Sequence, residues 1–258
     1  MSLFKGGVTG VLSAADIGPL RKFYEEGLGL RRVSERNTAS GKRELYAVSD
    51  DGFIELRERD ESLPDGPTSF WVQAHDIDGM YGTLAKEGVV ELFEPIEDKY
   101  FHARSFQMRD PAGNGIFSVC YEKDILPYTG DCPKESFFDP EFRTVLFVHD
   151  LDRCYRFYTE VLEMPCIYSW DECPGDRGFK YQVDEGKGYI ETLHRIPLTD
   201  QKNASVLLHA VDLNECYKRI SSKEDANIVV PLSEDAEGIL RFELEDPNGN
   251  RIIIRGRL

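Results

Sequence analysis

Short apolar runs that end in an aspartate and lead into a helical stripe recur four times along the chain. They read "VTGVLSAADIGPLRKFY", "SFWVQAHDIDGMYGTL", "RTVLFVHDLDRCYRFY" and "SVLLHAVDLNECYKRI". The Val, Leu, Phe and Trp of these runs predict strands. The aspartate predicts a helix N-cap, its carboxylate accepting a hydrogen bond from a free backbone N–H. In the third copy Leu151, Cys154, Phe157, Tyr158, Val161 and Leu162 follow a 3.6-residue period, which gives a helix with one apolar side. Two or three further strand-like runs follow each helix, among them "RELYAVS", "GFIELRE" and "RFELED". The predicted unit is therefore β-α-β-β-β, four times over.

A coarser repeat lies on top of the fine one. "DIGPLRKFYEEGLGL" (16–30) matches "DLDRCYRFYTEVLEM" (150–164), and "FIELRER" (53–59) matches "YIETLHR" (189–195). "RDPAGNG" matches "EDPNGNR", so a DPxGN turn occurs at Asp110–Asn114 and again at Asp246–Asn250. In such a turn Pro sets φ at the first corner, and Gly or Asn accepts a positive φ at the next, which suits a hairpin. The segment 122–140 carries Pro, Gly and charge with no period. The expected organisation is one domain over 1–125, a linker over 126–140 and a second domain over 141–258. "SWDECPGDRGFKY" (169–181) reads as a long charged loop, either a lid or a plain exposed connection.

Composition narrows the function classes. The 258 residues are 41% hydrophobic and 30% charged, as expected of a soluble globular protein. No apolar run approaches the roughly 20 residues of a membrane span. The opening "MSLFKGGVTG" has no basic segment followed by an apolar one, so a cytoplasmic location is expected. The six cysteines form no Cys-x-x-Cys pair and read as reduced thiols. A net charge of −16 opposes nucleic acid and anionic membrane surfaces as partners.

The four units, the helix ends "FYEEGLGL" and "FYTEVLEM" and the doubled DPxGN turn resemble the vicinal oxygen chelate superfamily. That group includes glyoxalase I, bleomycin-resistance proteins and extradiol dioxygenases. The resemblance implies an α+β fold of two tandem glyoxalase-like domains, in which curled mixed sheets form cups. It also implies a divalent metal in each cup. Its ligands, usually His, Gln or Glu, come from the first strands of two units, from a last strand of the first and from the strand after the turn.

Transferred position by position, the resemblance picks out Thr9, Glu55, Ser69 and Phe117 in the first half. In the second it picks out Arg143, Glu191, Ser205 and Ile253. Taken half by half, each cup keeps one carboxylate of four expected ligands. Phe and Ile cannot coordinate, Ser and Thr hydroxyls are weak neutral ligands, and Arg143 brings positive charge. No metal is therefore expected unless non-standard ligands exist. Alternation puts His75, His149 and His209 on the ligand face and His194 on the other. Arg143 and Glu191 are expected to form an ion pair where relatives hold metal. Glu55, facing Thr9 and Ser69, is the candidate catalytic residue, a general base if burial raises its pKa. Tyr46, Phe53, Phe70, Trp71, Phe101, Phe117, Tyr168, Trp170, Phe179 and Tyr189 are candidate cup or core aromatics.

Three functions stay open on these residues. One is metal-free binding of a small organic molecule in an apolar cup. Another is a glyoxalase-like lyase or ring-cleaving dioxygenase built on Glu55 and unrecognised ligands. The last is an interaction module with inert cups. Either a monomer or a homodimer is compatible with paired domains.

Overall fold

The structure, a computed structural model, describes residues 2–38, 41–58, 63, 68–88, 90–99, 102–121, 134, 137–173, 176–195, 204–235 and 237–256. All four β-α-β-β-β units form. The first comprises β1 (Val8–Ala14), α1 (Gly18–Arg21, continuing as a π-helical turn Lys22–Gly27), β2 (Arg31–Thr38), β3 (Gly41–Ala47) and β4 (Gly52–Glu58). The second comprises β5 (Ser69–Ala74), α2 (Ile77–Glu87), β6 (Glu91–Lys99), β7 (Ala103–Arg109) and β8 (Gly115–Tyr121). The third comprises β9 (Phe138–Phe147), α3 (Leu151–Arg156, continuing as Phe157–Val161), β10 (Cys166–Cys173), β11 (Asp176–Gln182) and β12 (Gly188–Arg195). The fourth comprises β13 (Ser205–Ala210), α4 (Leu213–Ser221), β14 (Asn227–Glu234), β15 (Leu240–Glu245) and β16 (Arg251–Gly256).

Three of the four aspartate caps form as expected. Asp76 accepts from the Gly79 N–H, Asp150 from Arg153 and Asp212 from Glu215, each at 3.0 Å. Asp16 differs: Pro19 occupies the first turn of α1, and Asp16 accepts from Gly18 N–H at 2.8 Å instead. Proline has no N–H to offer, so the aspartate closes a local turn just outside the helix.

Strand alternation sends even-numbered residues of β1, β4, β5 and β9 into one shared core. Val8, Leu12, Ile54, Leu56, Phe70, Val72, Phe142 and Leu146 all belong to it. Within the second sheet Phe70 stacks on Phe142 with ring centroids 5.6 Å apart. Gly10 lies against the Phe70 ring, where any Cβ would collide with it.

The two eight-stranded sheets correct the expected grouping. Their orders are β14-β15-β16-β13-β1-β4-β3-β2 and β10-β11-β12-β9-β5-β8-β7-β6. The first sheet joins the first unit to the fourth, and the second joins the second unit to the third. Antiparallel pairing of β1 with β13 and of β5 with β9 makes the seams. Each cup therefore draws strands from both halves of the sequence. Periodicity along one strand reports which face is buried, but not which other strand it pairs with.

The DPxGN turns fold as hairpin connections and also tie units together. Gly113 and Gly249 take φ of 87° and 85°. Asp110 accepts from the Ala112 and Asn114 N–H groups at 2.9 Å and from the Tyr24 hydroxyl of α1's π-turn at 2.8 Å. Asp246 repeats this with Tyr158 at 3.1 Å. Each turn thus anchors the helix of the neighbouring unit in its own half.

"SWDECPGDRGFKY" is a hairpin, not a loop. β10 and β11 pair over it, with Trp170 opposite Gly178. The indole lies across the glycine and donates to Asp176 at 3.1 Å. Aromatic cover of a strand glycine supplies the packing that the polar sequence conceals. Most of the 126–140 segment lies outside the described residues, and β9 begins within it at Phe138.

Candidate functional site

In each sheet the residues that turn away from the shared core lie on the face that the resemblance assigns to the cup. In the first sheet, Ile253, Leu207, Thr9 and Phe53 stand in one cross-strand row, and Ser205, Val11, Glu55 and Leu45 in the next. In the second sheet, the corresponding rows are Phe117, Trp71, Arg143 and Tyr189, then Ser69, Val145, Glu191 and Lys180. The eight transferred positions thus regroup as Thr9, Glu55, Ser205 and Ile253, and as Ser69, Phe117, Arg143 and Glu191. Each set still contains a single carboxylate, because regrouping exchanged Ser69 and Phe117 for Ser205 and Ile253.

The cup of the first sheet is filled from within the chain. Leu63, from the connection after β4, packs with Val11, Leu207 and Ile253 as a separate buried cluster. Glu55 is 5% exposed and does not face Ser69, which lies in the other sheet. Its Oε1 accepts from Arg57 Nε at 2.5 Å, and its Oε2 lies 3.8 Å from Arg255. Burial would raise its pKa, but the arginines outweigh that and hold it below the usual 4.5. The raised pKa wanted of a general base is therefore not provided.

A pH dependence follows from that sign. A carboxyl with a depressed folded pKa stabilises fully above its unfolded value and loses this as pH falls through its folded value. The stability difference between the wild type and Glu55→Gln is expected to be constant above about pH 5, given the ordinary value of 4.5. It should shrink on further acidification, as read from urea midpoints at stepped pH. A difference that grew toward low pH would contradict the pairing.

The second sheet carries the expected Arg143–Glu191 pair, Nη1 to Oε2 at 2.7 Å, with both residues buried. Arg143 also reaches Glu141 at 2.5 Å and the Tyr121 hydroxyl at 3.1 Å, and its guanidinium lies 4.2 Å from the Trp71 ring centroid. Glu141 is shared with Lys180 at 2.7 Å, and that ammonium sits 3.9 Å over Tyr189. Burial would lower the Arg143 pKa, but the two glutamates raise it instead. Around this neutral network, Trp71, Phe117, Tyr121 and Phe147 are half-buried and turn toward the cup. Tyr46 and Phe70 belong to the core, and Phe101 lies outside the described residues.

Sequence reasoning missed Arg255, Glu141, Lys180 and Leu63. Arg255 follows Ile253 by two, and Glu141 precedes Arg143 by two, so alternation already placed them on the cup face. Lys180 and Leu63 needed the tertiary structure. His75 and His149 are exposed at strand ends, and His209 pairs in register with Arg255. Among the described residues, no three His, Cys, Asp or Glu side chains converge. Among the same residues, no helix is long and apolar enough to cross a membrane.

Solved structures share this architecture. Glyoxalase I from Zea mays superposes with a TM-score of 0.74 at 13% identity, covering 96% of this chain and 91% of that one. A protein from Bacillus subtilis, provisionally named a dioxygenase, gives 0.70 at 12% identity over 99% and 86%. Likeness at such identities shows the fold alone. No curated protein matches the sequence. The model of the Glyoxalase/Bleomycin resistance protein/Dioxygenase superfamily matches residues 9–116 and 142–254, and with that match, two β-α-β-β-β repeats per half and two eight-stranded mixed sheets, the chain belongs to this superfamily.

Proposed function

We propose that the protein binds a small, flat organic molecule in the cup of the second sheet and does so without a metal ion. The carrying observation is the Arg143–Glu191 pair, 2.7 Å apart, at the place the superfamily resemblance assigns to metal ligands. A guanidinium there repels a divalent cation and satisfies the one carboxylate that would attract it. In the first sheet, Arg57 and Arg255 treat Glu55 in the same way. Neither ligand set fits a metal, so no metal-dependent step is derived.

Binding then rests on aromatic area. Trp71 and Phe117 stand side by side in one row, next to the guanidinium that lies over Trp71. A ring stacked there gains from burial and from offset contact with the rings. The ion network beside it presents fixed hydrogen-bonding groups that orient a polar substituent. Leu63 in the first cup supports assigning the ligand to the second cup only.

The chain has two tryptophans, so Trp170→Phe leaves Trp71 as the reporter in the cup. Titrating this variant with planar aromatic compounds, such as naphthalene and quinoline carboxylates, should give saturable quenching that survives chelator treatment. Phe117→Ala is expected to weaken it about tenfold, the value of one well-buried ring edge. Quenching that requires an added divalent metal, or that ignores Phe117→Ala, would sink the proposal.

A further inference from the structure

The edge strand β10 carries two aromatic rings on the cup face of the second sheet. Cys166 pairs with Tyr181 on the core side, whereas Tyr168 pairs with Lys180 on the cup side. Residues two apart on a regular strand share a face. A β-bulge between Cys166 and Tyr168 breaks that alternation and turns Tyr168 and Trp170 away from the core. The matching bulge in β2, between Arg32 and Ser34, puts Ser34 and Arg36 in the equivalent places, with Arg36 opposite Arg43. In β10, Gly178 stands opposite Trp170 and leaves room for the indole to lie across the strand. Of these two copies, only the bulge of β10 presents rings.

The Tyr168 and Trp170 rings stack at 23° with centroids 6.0 Å apart, and Tyr168 is 54% exposed. Asp176 accepts from the Trp170 indole N–H at 3.1 Å, which fixes the ring and leaves its apolar surface to a partner. Single exposed apolar side chains need no explanation, but a fixed, stacked pair at the rim of a binding face marks a site. What covers it follows from its neighbours. The row through Tyr168 continues with Lys180, Glu191 and Val145 to Ser69 of β5, the strand that carries Trp71 on the same face. In the sheet order β5 lies four strand spacings from β10, a span of about 19 Å along the sheet. Charged hydrogen-bonding groups therefore separate two aromatic patches on one continuous face.

We infer that the Tyr168–Trp170 shelf is a second ring-binding subsite, and that the preferred ligand is elongated, with a planar ring at each end and a polar middle over Lys180 and Glu191. One ring stacks on the shelf and the other beside Trp71, so this inference rests on the cup proposed above. Stacking adds to area burial at each end. Joining the rings makes the second contact intramolecular.

Fluorescence titration of the full chain tests this with naphthalene-2-carboxamide and with two such amides joined by ethylene-glycol linkers of about 10, 20 and 30 Å, which bracket the span. Trp71→Phe leaves Trp170 as the reporter, and Trp170→Phe leaves Trp71. The linked probe closest to the span is expected to quench both reporters and to bind roughly 100-fold tighter than the single ring. Tyr168→Ala, at an exposed edge position that folding does not need, should remove about tenfold or more of that gain. No gain at any linker length, an unquenched Trp170, or a gain indifferent to Tyr168→Ala would overturn the inference. Failure of the cup reading itself would look different, since Trp71 would then stay unquenched by either probe.

Discussion

Arg143→Met is expected to lower the unfolding free energy by about 3–5 kcal/mol in urea denaturation, because it strands a buried carboxylate. Glu191 is 3% exposed, and its hydrogen-bonded cation, 2.7 Å away, is Arg143. Glu141 suffers less, since Lys180 holds it at 2.7 Å. The double variant Arg143→Met/Glu191→Met should recover most of the loss. An apolar pair of similar volume avoids the desolvation that the ions incur, so replacement of a buried pair is often close to neutral. A single-variant cost below about 1 kcal/mol would instead mark a solvated pair of the surface kind. The result bears on function as well. A folded Arg143→Met variant, which keeps Glu191 but still binds no divalent metal, would show that the arginine alone is not what excludes it.

Asp246→Ala should cost nearly as much, on the order of 3–4 kcal/mol by thermal or urea unfolding. The Asp246 carboxylate is 3% exposed and accepts from four groups: the Asn248 and Asn250 N–H at 2.8 and 2.9 Å, the Asn250 amide at 2.8 Å and the Tyr158 hydroxyl at 3.1 Å. Removing it leaves those donors buried without an acceptor. Tyr158→Phe removes one of the four and should cost about 1–2 kcal/mol. Asp110→Ala and Tyr24→Phe should reproduce the ratio in the other half, where the same geometry recurs. Equal costs for the aspartate and tyrosine variants would mean that the turn contributes nothing beyond its link to the helix.

These turns show how far the sequence could be read. DPxGN at 110–114 and 246–250 identified a hairpin and a duplication, because Pro and Gly act through local φ preferences that no distant contact overrides. The same stretch did not disclose the tyrosine that each aspartate binds, which lies 86 or 88 residues earlier. Aspartate caps were legible for the same local reason, and the exception at Asp16 traces to Pro19 three residues on. The hairpin at 166–182 was hidden, since Gly178 and its charged neighbours lack strand propensity and rely on the indole of Trp170.

For the candidate site, the resemblance picked out the eight positions, and the Arg143–Glu191 pair expected among them forms at 2.7 Å. Their distribution between cups was not legible. Within-strand periodicity fixes a face but carries no information about which edge pairs with which, and the seams β1–β13 and β5–β9 join residues far apart in the chain. By itself the sequence determined the four repeated units, the turns and the superfamily, all of which follow from residue type and short-range spacing. Only the tertiary structure decided that each cup is shared between the halves, that Leu63 fills one of them, and that Arg57 and Arg255 depress Glu55. Those outcomes depend on side chains brought together across sheet seams, where burial makes charge and packing count most.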